Sequence, residues 1–456
     1  MKPILSQNKF SSRLFGHKSK RSKNLIVNVL ASFFIKGWSG VVQILMVPVT
    51  LACLDTYEYG IWMVLSSMLV WIDSFDIGLG NGLRNKLATY LANGRSEEAQ
   101  QAVSTCFFSL VALMAFVSVG LLLFEEYADL NELLKVDSVR IPNLTQIVQV
   151  ATLIVCITFV FKFVGNVLLA LQLPAVNNML ITLGSMCALI AIWVCLQVGV
   201  KVDLFLVATL FTLSTLLVYV LAFPVVFGIY YPALRPKLRM FRWPMLRGIF
   251  TLGLKFFILQ IFGLILFATS NVIISRILGP ESVTPYQIAQ KYFNFLFVLF
   301  TILVVPIWSA TTDAYAKGDL GWIDRCSRRG LWVMGLMGVV LILMALFSHW
   351  VYPVWTLGKV QVPSLLTWMM ALYMFVTMFS LFYAHLLFGI GKVQVQMWVT
   401  VGEALAFIPL AVYGARVWGI VGVLGALTLV NVACAVTNCA QVRMICRGRA
   451  FGIWAK

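Results

Sequence analysis

Asp76-Ile77-Gly78-Leu79-Gly80-Asn81-Gly82-Leu83-Arg84-Asn85-Lys86 closes the second long apolar segment of the chain, and its reading decides the fold. A carboxylate stands inside a hydrophobic stretch, three alternating glycines follow, and two cations mark the exit. Bilayer hydrocarbon excludes charge unless the charge faces protein or water, so Asp76 implies a helix bundle that is polar inside at this depth. Glycine allows close backbone approach, and here a bend where the helix leaves the membrane. A glycine-softened helix end with a capping role is the plainer reading of the same residues.

Composition widens this into a class. The chain has 456 residues, 61% hydrophobic and 11% charged, with a mean hydropathy of +0.94. Soluble domains carry roughly 25% charged residues, so the expected fold class is an all-α polytopic membrane protein. Twelve apolar segments are each long enough to cross a ~30 Å hydrocarbon core as a helix. They fall at 25–53, 60–81, 101–124, 146–172, 175–200, 204–230, 248–279, 286–310, 328–352, 364–389, 394–414 and 419–442.

Charge orients the spans. With the amino terminus inside, cytoplasmic segments hold 24 Lys/Arg and outward loops hold five, Lys135, Arg140, Lys201, Lys359 and Arg416. The positive-inside rule then predicts both termini cytoplasmic in a multi-pass protein. The basic start, residues 1–24, precedes a full-length span rather than a short cleavable one, and reads as a retained tail. A net charge of +17 also raises nucleic-acid binding, but the surplus sits beside membrane segments, so no nucleic-acid partner is expected. The nine cysteines are scattered without a C-x-x-C, and the three histidines form no constellation with them. Neither a metal site nor catalytic residues are expected. The longest outward loop, about 125–145, has no room for a catalytic domain.

The chain repeats weakly. Lys36 in span 1 and Tyr90–Gly94 after span 2 match Lys255 in span 7 and Tyr315–Gly318 after span 8, at offsets of 219 and 224 residues. The predicted organisation is a basic tail (1–24), a six-helix lobe (25–230), a basic connector (231–247) and a second six-helix lobe with a short basic tail (248–456). Both halves begin on the same side, so the repeat is parallel, an arrangement that suits alternating access.

Helical spacing shows where buried polar groups point. Ser32, Lys36, Ser39, Gln43 and Thr50 share one face of span 1, and Thr158, Lys162 and Asn166 share one face of span 4. Span 8 aligns Gln287, Lys291, Asn294 and Thr301; span 11 aligns Gln396, Thr400 and Glu403; span 2 aligns Ser66, Asp73, Asp76 and Gly80. Lys255 enters span 7, where Gln260 and Asn271 form a separate stripe. Such stripes line a water-filled cavity or a helix interface. The candidate cavity residues are therefore Lys36, Ser39, Gln43, Lys162, Asn166, Lys255, Gln260, Lys291 and Asn294. Interior cations, counting Arg276, outnumber the acids Asp73, Asp76 and Glu403, which tilts the cavity toward an anion. The acids either neutralise lysines or couple an ion, and spacing leaves both open. Pro48, Pro224, Pro306 and Pro409 interrupt spans and act as gates or packing bends. The extension of span 2 is amphipathic, with Leu83, Leu87, Tyr90 and Leu91 on one face, and is expected at the inner membrane surface.

Several motifs carry a family resemblance. Phe34-Ile35-Lys36-Gly37, Met46-Val47-Pro48-Val49-Thr50, Glu58-Tyr59-Gly60-Ile61-Trp62 and the run from Asp76 through Gly94 resemble Wzx-type flippases of the multidrug/oligosaccharidyl-lipid/polysaccharide exporter superfamily. The resemblance implies a MATE-like fold with twelve helices in two lobes, in a bacterial inner membrane. It implies translocation of an undecaprenyl-pyrophosphate-linked oligosaccharide for surface polysaccharide synthesis. No bound cofactor is expected, and the intramembrane acids are candidates for coupling to a sodium or proton gradient. The expected partners are that substrate, membrane lipid and polysaccharide-assembly proteins, with the chain itself a monomer. Two other classes compete: a drug or cation antiporter of the same fold, and a membrane glycosyltransferase or polymerase. The enzyme class needs an outward acid pair or a sizeable loop, and neither is visible.

Overall fold

The apolar segments fold as helices throughout the described part of the computed structural model, which covers residues 20–73, 79–171, 173–247 and 269–455. No strand occurs among these residues. The helices are α1 (Lys20–Cys53), α2 (Thr56–Asp73), α3 (Leu79–Ala92), α4 (Ser96–Tyr127), α5 (Leu130–Leu134), α6 (Leu144–Ala170), α7 (Pro174–Gln197) and α8 (Leu204–Pro224). After α9, described over 269–278, come α10 (Val283–Ala316), α11 (Leu320–Trp355), α12 (Ser364–Ile390) and α13 (Gln394–Cys446).

Nine of the described helices are long and apolar enough to cross a membrane. The longest, α13, holds two of the sequence-defined segments, because the chain reverses at Gly419 (φ 63°, ψ −143°). Its two arms run antiparallel: Cys434 N–H donates to Glu403 Oε1 at 3.0 Å, and Gln441 Nε2 donates to the Lys392 carbonyl at 3.2 Å. The second segment falls on α2 and α3, and most of the seventh lies outside the described residues.

Helix ends follow from the local sequence. Asp129, Asp203 and Asp319 cap α5, α8 and α11 by accepting the backbone N–H three residues on. The two anchors of the repeat end their helices alike. Gly94 and Gly318 take left-handed φ of 72° and 74°, which glycine adopts without a Cβ penalty. Arg95 N–H then reaches the Tyr90 carbonyl at 2.9 Å, and Asp319 N–H reaches that of Ala314 at 2.9 Å. The same 6→1 closure at both anchors is the helix stop that lets the chain turn back into the membrane. Past Pro224, α8 loosens into a π-helical turn, Val225–Tyr230.

Helices α1–α8 pack among themselves through α1 with α7, α6 with α8 and α4 with α6; the later helices pack through α12 with α10, α11 and α13. The seam between the two groups is built by α1 and α2 against α10. One expectation fails here. The apolar face of α3 does not rest on lipid: Leu83 and Leu87 are buried, with Tyr90 and Leu91 packed beside them against α4 and α6. Elsewhere large apolar side chains face outward, among them Phe116 and Trp332, as a bilayer-facing surface requires.

The ends of the bundle differ. One carries the basic clusters around residues 84–95, 235–247 and 443–449, and is called the basic side below. The other, the far side, carries the loops after α1, α4, α9 and α11.

Candidate functional site: a cavity at the seam

On the far side the two groups of helices are clasped. Thr284 Oγ1 donates to the Thr56 carbonyl at 2.6 Å, and Thr56 Oγ1 to the Lys359 carbonyl at 3.4 Å. Lys359 Nζ donates to the Leu51 carbonyl, Trp355 Nε1 to that of Ile44 at 2.8 Å, and Ser275 Oγ to that of Leu134 at 3.2 Å. Arg140 adds ion pairs to Asp55 (3.2 Å) and Glu281 (3.5 Å) and lies 4.4 Å over the Tyr57 ring. These ion pairs are about half exposed and contribute little singly. Gly60 meets the Pro280 backbone so closely that an added Cβ would lie 2.0 Å from its carbonyl oxygen.

Beneath this clasp lies a cavity of about 460 Å³ that spans the seam. Gln43 enters it from α1, Lys162 from α6, and Gln287 and Lys291 from α10. Lys291 Nζ donates to Tyr59 Oη at 2.9 Å, linking α10 to α2. Gln287 Nε2 donates to Asn271 Oδ1 at 2.7 Å, and Asn271 Nδ2 to the Met63 carbonyl at 3.4 Å, so the polar roof is tied to both groups of helices. The described lining holds two lysines and no carboxylate. Lysine presents a compact, strongly hydrated point charge with three donors, suited to a phosphate oxygen that arrives with its own water.

The other candidates distribute as follows. Lys36, Ser39, Asn166 and Asn294 are half-buried and do not line the cavity. Each lies one or two turns toward the basic side of a residue that does, so the polar stripes run past the cavity in that direction. Lys36 stands about 10 Å from Gln43 along α1, at 1.5 Å per residue. Lys255, Gln260 and Asp76 lie outside the described residues, as does the side chain of Asp73 at the end of α2. Glu403 is buried elsewhere, between the two arms of α13. There Ser380 and Thr400 reach the thiol of the same Cys434 whose amide it binds, and no described basic side chain pairs with it. No three His, Cys, Asp or Glu side chains converge as metal ligands do among the described residues.

Sequence reasoning missed Tyr59, Trp62, Ser185, Thr212 and Thr215. The hydroxyls had no signal, since each bonds a carbonyl of its own helix, as Thr212 does with Ala208 at 2.8 Å. Tyr59 and Trp62 stood in plain view within the Glu58–Trp62 motif, without a charge to single them out.

Back to back with the cavity, an apolar groove of about 580 Å³ opens between α1, α10 and α11. Ile44, Pro48, Tyr292, Phe295, Trp350 and Trp355 line it. Gln43 and Ile44 are neighbours on α1, and Lys291 and Tyr292 on α10, so the same two helices wall the polar chamber and the greasy one.

In its fold the chain is similar to solved MATE family transporters. Among solved structures, an inward-facing MATE family multidrug resistance transporter superposes with a TM-score of 0.74 at 15% identity, over 92% of this chain and 98% of that one. An outward-facing MATE transporter gives 0.63 at 14% identity, over 97% and 99%. No family model matches the chain. Among curated proteins it is similar to one from Salmonella typhimurium named as an O-antigen transporter, 21% identical over 288 residues. That match spans 60% of this chain and 62% of the relative's length, less than two thirds of it. A Yersinia pseudotuberculosis protein named for O-antigen export is 20% identical over 402 residues, covering 87% of this chain and 88% of the relative.

Proposed function

We propose that the chain is a flippase that carries an undecaprenyl-pyrophosphate-linked oligosaccharide from the cytoplasmic to the periplasmic leaflet of a bacterial inner membrane by alternating access. The observation that carries this reading is the seam cavity, with Lys162 supplied from one group of helices and Lys291 from the other. Two cations on opposite walls hold a pyrophosphate between bodies that must move apart. The sugars occupy the hydroxyl- and amide-lined space beside them, and the apolar groove beyond α1 and α10 takes the first prenyl units. The names of the curated relatives support the substrate class. A drug or cation exporter of the same fold calls for a carboxylate in the lining, and the described lining offers none.

Energy input belongs to the same proposal. Glu403, buried without a described cationic partner, is the residue we assign to sodium or proton coupling. Glu403→Gln should leave the protein at normal abundance while removing the dependence of transport on one of the two gradients. Unchanged dependence on both would take Glu403 out of the coupling scheme.

The cavity is tested with Lys162→Gln and Lys291→Gln in a strain lacking its own O-polysaccharide translocase. Hydrogen bonds to a charged group are worth about 1.5–3 kcal/mol, so each variant should lose roughly 10- to 100-fold in transport at normal abundance. Arginine should restore part of it, because it returns the charge with a different geometry. Full complementation by both glutamine variants would remove the anion-binding cavity.

A further inference from the structure

Between α8 and the second group of helices, residues 231–247 form a strap that crosses the basic side. Its backbone is pinned to α4. Gln100 Nε2 donates to the Arg235 carbonyl at 3.0 Å, Lys237 N–H to Ser104 Oγ at 3.1 Å, and Arg242 N–H to Thr105 Oγ1 at 3.0 Å. Leu234 is buried beneath it, and Met245 and Leu246 pack on the same apolar cluster. The strap is therefore a fixed platform. Everything it turns outward is either cationic or apolar: Arg235, Lys237, Arg239 and Arg242 are exposed, and so are Leu238 (69%) and Trp243 (71%).

None of these four cations has an ion-pair partner among the described residues. The sequence supplies no local counter-charge either, for no Asp or Glu occurs between Asp203 and Glu281. The acids that open α4 are already engaged, Glu98 by Arg95 and Glu97 by Gln101. The apolar belt of α8 reaches the strap's first residue, since Ile229 and Tyr230 are largely exposed. The strap thus lies where hydrocarbon gives way to head groups. An orienting role in membrane insertion needs only the charges; it does not need a pinned backbone, or a leucine and a tryptophan held outward among them.

We propose that this strap docks on anionic phospholipid head groups, with the four cations meeting phosphates while Leu238 and Trp243 dip toward the acyl chains. Basic residues just outside a membrane helix gain about five-fold each in affinity for an anionic surface, about 1 kcal/mol. Tryptophan favours the interfacial level on its own account. The docking fixes α4 and α8 to one leaflet, so the first group of helices serves as the anchored body against which the second moves.

The test uses the full-length chain, delipidated in a neutral detergent, and follows its thermal unfolding during lipid titration. Phosphatidylglycerol should raise the midpoint by several degrees, in a manner reversed by high salt, while phosphatidylcholine should not. The R235Q/K237Q/R239Q/R242Q variant should unfold like the native chain in detergent alone, because backbone groups rather than these side chains hold the strap. Its phosphatidylglycerol titration should shift at least tenfold to higher lipid. A native-like titration would overturn the proposal, and so would a response to inorganic pyrophosphate that equals the phosphatidylglycerol response and is lost in the fourfold variant, which would make the strap a phosphate site independent of lipid. If the fourfold variant fails to accumulate, Lys237→Gln and Arg239→Gln singly, each about five-fold weaker, decide the same question. None of these outcomes depends on what the transporter carries.

Discussion

Alanine at Gly60 should leave the far side unable to close, and transport should fall to background. A Cβ there would stand 2.0 Å from the Pro280 carbonyl oxygen and 2.8 Å from its carbon, both backbone atoms that cannot rotate away. Relief requires α2 to part from the turn before α10, and that parting breaks the Thr284–Thr56 bond beside it. Overpacking of this kind costs about 3 kcal/mol, enough to move a two-state equilibrium on the order of 100-fold. The expected signature is a protein of normal abundance, inactive in complementation, in which spin labels at the exposed far-side residues Ser138 and Gln361 report a longer distance than in the parent. Gly37 is the control, since an added Cβ meets nothing within 4 Å, and Gly37→Ala should be active. A Gly60→Ala protein with the parental label distance and full activity would show that the clasp is not a moving part.

The second large effect concerns folding. Near the reversal of α13, Gly414 and Gly422 touch backbone to backbone: a Cβ on Gly422 would sit 2.0 Å from the Gly414 oxygen, and one on Gly414 2.6 Å from the Gly422 oxygen. Small residues at such crossings let membrane helices approach and gain dispersion contacts. Gly422→Ala should therefore destabilise the protein by about 3 kcal/mol or more, and Gly422→Leu should prevent accumulation. Gly425 provides the comparison, because the nearest atom to its added Cβ is the flexible Met369 terminus at 4.0 Å. Gly425→Ala should unfold within a degree or two of the parent. Equal midpoints for the Gly422 and Gly425 alanine variants would mean that the arms of α13 separate without cost.

What the sequence made legible follows from which interactions leave a mark on it. Spans are visible because lipid demands some twenty apolar residues in a row. Gln43, Lys162 and Lys291 are visible because a polar group inside such a run needs a reason, and helical spacing tells which way it points. The same argument grouped Glu403 with Asp73 and Asp76, although Glu403 faces the other arm of α13 and not the cavity. Spacing gives the face of a helix but not which neighbour covers that face. The amphipathic α3 misled for this reason: its stripe is real, yet α4 and α6 cover it, not lipid. The reversal at Gly419 falls on the first residue of the last apolar segment, next to the expected break, while the contact of Gly414 with Gly422 gave no sign, since two glycines eight residues apart are ordinary in a membrane chain.

The far-side clasp had no mark at all. Five of its cross-seam bonds, from Thr56, Ser275, Thr284, Trp355 and Lys359, end on main-chain carbonyls, as does that of Asn271 in the cavity roof beneath. A carbonyl is present whatever side chain a position carries, so half of each bond is beyond the reach of substitution. Lineages can drift at Ile44, Leu51, Met63 or Leu134 without disarming the closure, and can replace one donor by another of similar length. Divergence to about one identical residue in five, as seen against the O-antigen proteins, is then compatible with an unbroken clasp. Such a closure is inherited as a backbone path, and homologues would share it as geometry even where an alignment shows nothing in common.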